Sequence, residues 1–142
     1  MRHHHVLHVV AKLLLPFILM FALYVQFHGD FGPGGGFQAG VMFAAGIVLF
    51  ALLNGLQAAR KALRPWFLVS FAAFGVLLYG GVGVVSLLLG GGFLDYNVLA
   101  QDPVHGQHYG ILLVELGVGI AVTAVMVTIF YTFADRGLND PR

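Results

Sequence analysis

Glu115 is the residue whose type and position point most directly to chemistry, because this acidic side chain interrupts an otherwise apolar stretch. At the 1.5 Å rise of a helix, we expect it roughly 10 Å below a membrane surface. An ionised carboxylate there costs about 3 kcal/mol or more, so it usually faces a partner, a cavity or a proton path. Two interpretations stay open: a group that exchanges H+ or Na+ or contacts a neighbour's ion path, and a carboxyl kept protonated or paired for packing. Gly119 and Thr123 follow at four-residue spacing on the same face, which favours a protein contact over lipid.

Lys12 is the second polar feature, with His8 one turn before it and Pro16 one turn after it. Its long stem can carry the ammonium group to the lipid headgroups. If it does not, it needs a partner, and Glu115 is a poor one because the two depths differ by about 10 Å or more. A neighbouring subunit is the better expectation. Pro16 removes one backbone hydrogen bond and is expected to bend its helix.

Asp102, His105 and His108 stand close enough in sequence to share a cation or to gather protons. Spacing in a loop is weak evidence, so we predict no metal site. These three residues remain weak candidates for metal ligands. The chain has no cysteine, which excludes thiol catalysis and iron–sulfur ligation. It also lacks a nucleophilic triad and a nucleotide fingerprint, so we expect neither a cofactor nor enzymatic turnover.

These residues are positioned by four apolar stretches, at about 6–27, 37–59, 65–89 and 110–134. Each exceeds the ~20 residues that a helix needs to cross a ~30 Å hydrocarbon core. Lipid offers no hydrogen-bond partner to a bare backbone, and runs this long without alternation fit helices rather than strands. With 59% apolar and 9% charged residues among 142, the sequence predicts an all-α integral membrane protein. We expect a single domain over 1–142, a bundle of four transmembrane helices with a short tail at 135–142.

The basic residues predict the orientation of the bundle. Most of them flank the same ends of the four stretches: Arg2, Arg60, Lys61, Arg64, Arg136 and Arg142. The opposite loops, 28–36 and 90–109, hold Asp30, Asp95 and Asp102 but neither lysine nor arginine. The positive-inside rule therefore places both termini in the cytoplasm. The net charge of +1 leaves no basic surface for nucleic acid.

A glycine-rich segment opens the second stretch, and it runs Phe-Gly-Pro-Gly-Gly-Gly-Phe-Gln-Ala-Gly over residues 31–40. It lacks the lysine and hydroxyl pair of a phosphate cradle. Its small residues instead predict a tight loop that brings Gly36, Gly40 and Ala44 onto one helix face, where helices can pack closely. Gly75, Tyr79 and Gly83 make a similar stripe on the third stretch, again a packing feature.

The segment from Leu15-Pro16 to Phe27-His28-Gly29, followed by the run through Pro33, Gly34, Gly35, Gly36, Phe37 and Gly40, closely resembles the B subunit of multisubunit Na+/H+ antiporters of the Mrp or Mnh type. The likeness extends to the Gly75–Gly83 region and to the run around Glu115 in the last stretch. It therefore covers nearly the whole chain.

This resemblance implies a small membrane subunit of a hetero-oligomeric complex that exchanges Na+ for H+ across the bacterial cell (inner) membrane. Its partners would be the other membrane subunits and the lipid bilayer, and its contribution would be to assembly and to an ion path at subunit contacts. Two alternatives stay open: a homologous subunit of a redox-driven ion pump such as a membrane-bound hydrogenase, and a purely structural subunit. A small homo-oligomeric exporter is a minor fourth option, which the motif match disfavours.

Overall fold

The computed structural model describes residues 2–27, 35–92 and 103–139, with side chains described over 5–27, 35–92 and 110–137. Within these ranges the chain is helical, and no strand is present. The helices, in chain order, are α1 (Arg2–Phe27), α2 (Gly36–Asn54), α3 (Leu56–Ala62), α4 (Pro65–Leu88) and α5 (Pro103–Asn139). The predicted all-α class is confirmed.

Four of these helices are long and apolar enough to cross a membrane: His5–Phe27, Gly36–Asn54, Pro65–Leu88 and Gly110–Gly137. The prediction of four apolar spans is thus confirmed. The fourth span belongs to α5, which runs from Pro103 to Asn139 and so extends beyond the expected 110–134 at both ends. Pro16 lies inside α1 and is exposed on its surface.

The sequence predicted one helix over the second apolar stretch, to residue 59, but this stretch forms two helices. Gly55 has φ 95°, so α2 ends at Asn54 and the seven-residue helix α3 begins at Leu56. Glycine reaches this region of backbone space without a steric penalty. The turn keeps its hydrogen bonds, because the Gly55 N–H donates to the Ala51 carbonyl at 2.9 Å and the Asn54 side chain donates to the Phe50 carbonyl at 3.1 Å.

Helix α5 is the centre of the bundle. It packs along α4 on one side and along α2 on the other, while α1 lies against α2 and contacts α5 only briefly. The buried cluster at the core consists mostly of aliphatic residues, with three alanines among its members, namely Ala44, Ala51, Ala59, Leu68, Val127 and Tyr131. Membrane helices are held by close packing rather than by a hydrophobic driving force, so small side chains at the contacts are what this environment requires.

The α4–α5 crossing is built on two glycines that face each other. A β-carbon at Gly75 would lie 2.6 Å from the Gly117 carbonyl oxygen, and one at Gly117 would lie 2.8 Å from the Gly75 carbonyl oxygen. Neither position therefore admits a larger residue without moving a helix. Gly83, two stripe positions beyond Gly75 on α4, is also buried.

Helix α1 is the most peripheral span, with 11% of its most apolar window buried. Large apolar side chains such as Leu13, Phe17 and Met20 are more than 60% exposed. An apolar surface of this kind is stable against lipid or against another membrane helix, but not against water.

Candidate functional site

Glu115 lies on α5 where the first turn of α2 comes closest to it. A β-carbon at Gly36 would overlap the carbonyl oxygen of Glu115 and would lie 3.1 Å from its Cα. The two backbones can touch only because residue 36 has no side chain. The glycine-rich segment thus sets the position of Glu115 within this chain.

The carboxyl group of Glu115 reaches the residue that precedes α2. Its Oε1 atom lies 3.0 Å from the point where a β-carbon of Gly35 would be, and the Gln38 side chain borders the same point. Gly35 is the N-cap of α2 and offers no side-chain cap. The start of a helix carries unpaired N–H groups and a partial positive charge, which favour a nearby carboxylate.

Gln26 of α1 completes this end of the bundle, although its place in the sequence did not mark it as a site residue. Its side chain is 5% exposed, and its Oε1 occupies the space that a β-carbon of Gly119 would need. The Gly36 carbonyl oxygen lies 3.4 Å from that same space. The Gln26 Nε2 atom is buried and has no hydrogen-bond partner within the described residues. A lone amide near the end of an apolar helix was the available signal.

Thr123 links α5 to α2 at Gly40, which lies one turn beyond Gly36 on α2. Its hydroxyl lies 2.8 Å from the Gly119 carbonyl oxygen and 3.2 Å from the Gly40 carbonyl oxygen, the latter a contact between helices. A β-carbon at Gly40 would lie 2.9 Å from the Gly119 carbonyl oxygen. Helices α2 and α5 therefore run parallel, with Gly36 level with Glu115 and Gly40 level with Gly119.

Polar atoms of Glu115, Gln26 and Thr123 consequently follow one side of α5. Thr123 lies eight positions beyond Glu115, or about 12 Å along the helix. A cleft of about 180 Å³ borders Gln26 and Thr123, and the rest of its lining consists of glycines and apolar side chains such as Phe43 and Phe71. Glu115 is not part of that lining.

The structure does not bring the second polar feature to this place. Lys12 is exposed and His8 half-buried on α1. Fourteen residues separate Lys12 from Gln26, which corresponds to about 21 Å of helix. Lys12 forms no ion pair within the described part of the chain.

Part of the predicted motif is described and part is not. Gly35, Gly36 and Gly40 are buried, whereas Phe37 is 62% exposed on the outside of α2. Pro33 and Gly34 lie outside the described residues, as does Asp102. Of His105 and His108 only the helical backbone is described, so the metal candidates stay untested predictions.

Four helices long and apolar enough to cross a membrane define the class of this chain, a multi-pass membrane protein. Residues 6–128 match the family model described as a domain related to the MnhB subunit of Na+/H+ antiporter. The chain belongs to this family, and the resemblance found in the sequence is confirmed.

Individual relatives agree with the family assignment. The chain is 32% identical, over 91% of its own length and 91% of the relative's, to the B subunit of the Na+/H+ antiporter of Alkalihalophilus pseudofirmus. It is 30% identical, over 91% of its length and 93% of the relative's, to a protein of Staphylococcus aureus strain Newman whose name describes it as antiporter subunit mnhB2. Relatives of this kind are transporter subunits rather than enzymes, and they favour an antiporter over a redox-driven pump.

Proposed function

We propose that this chain is the B subunit of a multisubunit Na+/H+ antiporter of the bacterial cell membrane, and that Glu115 supplies a titratable carboxyl to the ion path of that complex. The proposal for Glu115 rests on the position of its carboxyl group at the start of α2, in contact with Gly35 and Gly36.

The chemistry of this position suits a group that exchanges one cation for another. The start of α2 offsets roughly 0.3–1 kcal/mol of the cost of an ionised carboxylate. This is less than the penalty of about 3 kcal/mol for a charge inside the membrane. A carboxyl group at this position can therefore alternate between an ionised form and a form that binds H+ or Na+.

A structural role for the same residues is the second candidate, and the Thr123 contact with the Gly40 carbonyl favours it. In this case Glu115 would serve the α2–α5 contact, and ions would pass only through other subunits. The two candidates differ in whether transport or assembly depends on the charge.

The test is Glu115→Gln in the intact complex, with Na+-dependent H+ movement measured in everted membrane vesicles and assembly measured by co-purification of the other subunits. We expect normal assembly and a fall of at least tenfold in transport per complex. Asp140→Asn is a matched control, because it removes a carboxylate beyond the family-matched residues 6–128. Lower assembly with unchanged transport per complex would support the structural role, and no change in either would exclude both.

We also propose that both termini lie in the cytoplasm. The chain has no cysteine, so single cysteines can be placed on a clean background. In intact cells, a membrane-impermeant maleimide should label Asn97→Cys and should leave Arg142→Cys unlabelled until the cells are opened. The reverse pattern would overturn the proposed orientation.

A further inference from the structure

A cavity with a polar lining lies at the other end of the bundle, where α3, α4 and α5 meet. Its volume is about 280 Å³, and its polar lining consists of Arg60, Thr128, Tyr131, Thr132, Asp135 and Arg136. Twenty residues of α5 separate Asp135 from Glu115, or about 30 Å along the helix. This cavity is therefore distinct from the Glu115 site.

In this cavity, the hydrogen-bond donors that remain available to a ligand belong to cationic side chains. The hydroxyls of Tyr131, Thr132 and Thr128 already donate to carbonyl oxygens of Leu63, Thr128 and Ala124, respectively. Arg60 lies over the Tyr131 ring at 5.8 Å from its centroid, and its Nε is buried with no acceptor among the described residues. Guanidinium groups are the donors best suited to the oxygens of a phosphate.

Asp135 is the one carboxylate in the lining, and it is partly neutralised. Its Oδ1 lies 3.4 Å from a terminal nitrogen of Arg60. Arg136 extends from the next position of α5 and also lines the cavity. The lining thus presents two guanidinium groups against one carboxylate, which favours an anionic ligand.

The cavity lies at the depth of lipid headgroups. The apolar span of α5 ends at Gly137, two residues beyond Asp135, and the span of α4 begins at Pro65 in the cavity wall. Trp66 follows and is 63% exposed, as expected of a tryptophan at a membrane interface. Val69 and Phe133, which follow the lining residues Leu68 and Thr132 in sequence, are exposed apolar side chains that acyl chains can contact.

We propose that this cavity binds the phosphodiester headgroup of an anionic phospholipid such as phosphatidylglycerol. Arg60 and Arg136 hold the phosphate oxygens, while the acyl chains lie along the exposed apolar surface of α4 and α5. Basic pockets between membrane helices bind anionic headgroups on this chemical basis. The adjoining apolar surface favours a lipid over a free phosphate ion, which would gain nothing from it.

The test uses the intact antiporter complex in nanodiscs that contain a phosphatidylglycerol with a photoreactive acyl chain. We expect crosslinks on the peptides of this subunit that carry Trp66 and Phe133, and at least fivefold weaker labelling by the phosphatidylcholine analogue. Arg60→Gln combined with Arg136→Gln should reduce phosphatidylglycerol labelling at least fivefold. Lys61→Gln is the matched control, because it removes a charge from the same helix without touching the cavity lining, and it should leave labelling unchanged.

A second variant protects the test against a folding defect. Asp135→Asn removes the acidic side chain from the cavity and should increase phosphatidylglycerol labelling. Equal labelling by both lipids, absence of labelling in the unmodified complex, or no effect of the arginine substitutions would each overturn the proposal. If inorganic phosphate at about 10 mM competed as well as unlabelled phosphatidylglycerol, the site would bind free phosphate and the lipid assignment would be wrong. All of these readouts measure lipid labelling, so none of them depends on the proposed role of Glu115 in transport.

Discussion

Gly36 of α2 and Glu115 of α5 touch through their backbones, although 79 positions separate them in the sequence. Asp135 aside, Glu115 is the only acidic residue in the described apolar spans. The contact with Gly36 places its side chain at the start of another helix. It also fixes the parallel register of α2 and α5, which the Thr123 hydroxyl then extends by one turn. The glycine and the carboxylate thus form one structural unit.

Gly36→Ala is expected to destabilise the bundle, because the added methyl group overlaps the Glu115 carbonyl oxygen. Overpacking of this kind costs about 1–3 kcal/mol. The measurement is the thermal midpoint of the purified complex, together with the yield of this subunit in it. Gly81→Ala is the control, since a β-carbon there meets nothing within 4 Å. Equal midpoints for the two variants would show that α2 and α5 are not in close contact.

Thr123→Val should weaken the α2–α5 contact by roughly 0.6 kcal/mol, the average for a hydrogen bond between membrane helices. Valine keeps the shape of the side chain and removes only the hydroxyl. Ser70→Ala is the comparison, because the Ser70 hydroxyl bonds only within its own helix, to the Trp66 carbonyl. Denaturation in detergent mixtures should therefore separate the two variants, and a larger loss for Ser70→Ala would contradict the prediction.

Gln26→Met should leave stability within about 1 kcal/mol of the unmodified chain. The buried Nε2 has no partner among the described residues, so removing it relieves an unsatisfied donor, while methionine fills a similar volume. Unfolding is again followed thermally, with Gln57→Met as control, since Gln57 is exposed on α3. A loss well above that of the control would mean that the amide is satisfied, by water in the adjoining cleft or by a neighbouring subunit.

Tyr131→Phe should cost about 0.5–1.5 kcal/mol, because it removes the hydrogen bond from the Tyr131 hydroxyl to the Leu63 carbonyl. That bond, at 3.2 Å, links α5 to the end of α3. Tyr79→Phe is the matched control, since Tyr79 is 39% exposed and has no such bond within the described chain. If both variants unfolded at the same temperature, the link between α3 and α5 would not contribute to stability.

The membrane class and the number of apolar spans follow from the sequence, because hydrophobicity is a local property that accumulates along a stretch. Glu115 stands out as a candidate in the same way, since a charge among apolar residues is costly wherever it lies. The end of α2 was harder to predict. Gly55 stands among residues that favour a helix, and its φ of 95° depends on how α3 packs rather than on its own type.

The residues around Glu115 show the same division. Gly36, Gly40 and Thr123 were recognisable as small or polar positions on a helix face. Gln26 was not, because nothing in its immediate sequence indicates that its amide lies against Gly119 of a helix more than 90 residues away. The pairing of Arg60 with Asp135 was equally hidden, since a salt bridge between helices depends on their rotation.

By itself, the sequence determined that four apolar helices form, where their charges fall and which family they belong to. The tertiary structure alone decided that Glu115 lies at the start of α2, that Gln26 is buried beside it, and that Arg60 and Arg136 line one cavity. The reason is physical. Transfer into lipid depends on each segment separately, whereas contacts between helices depend on how their surfaces fit when rotation and register are fixed together.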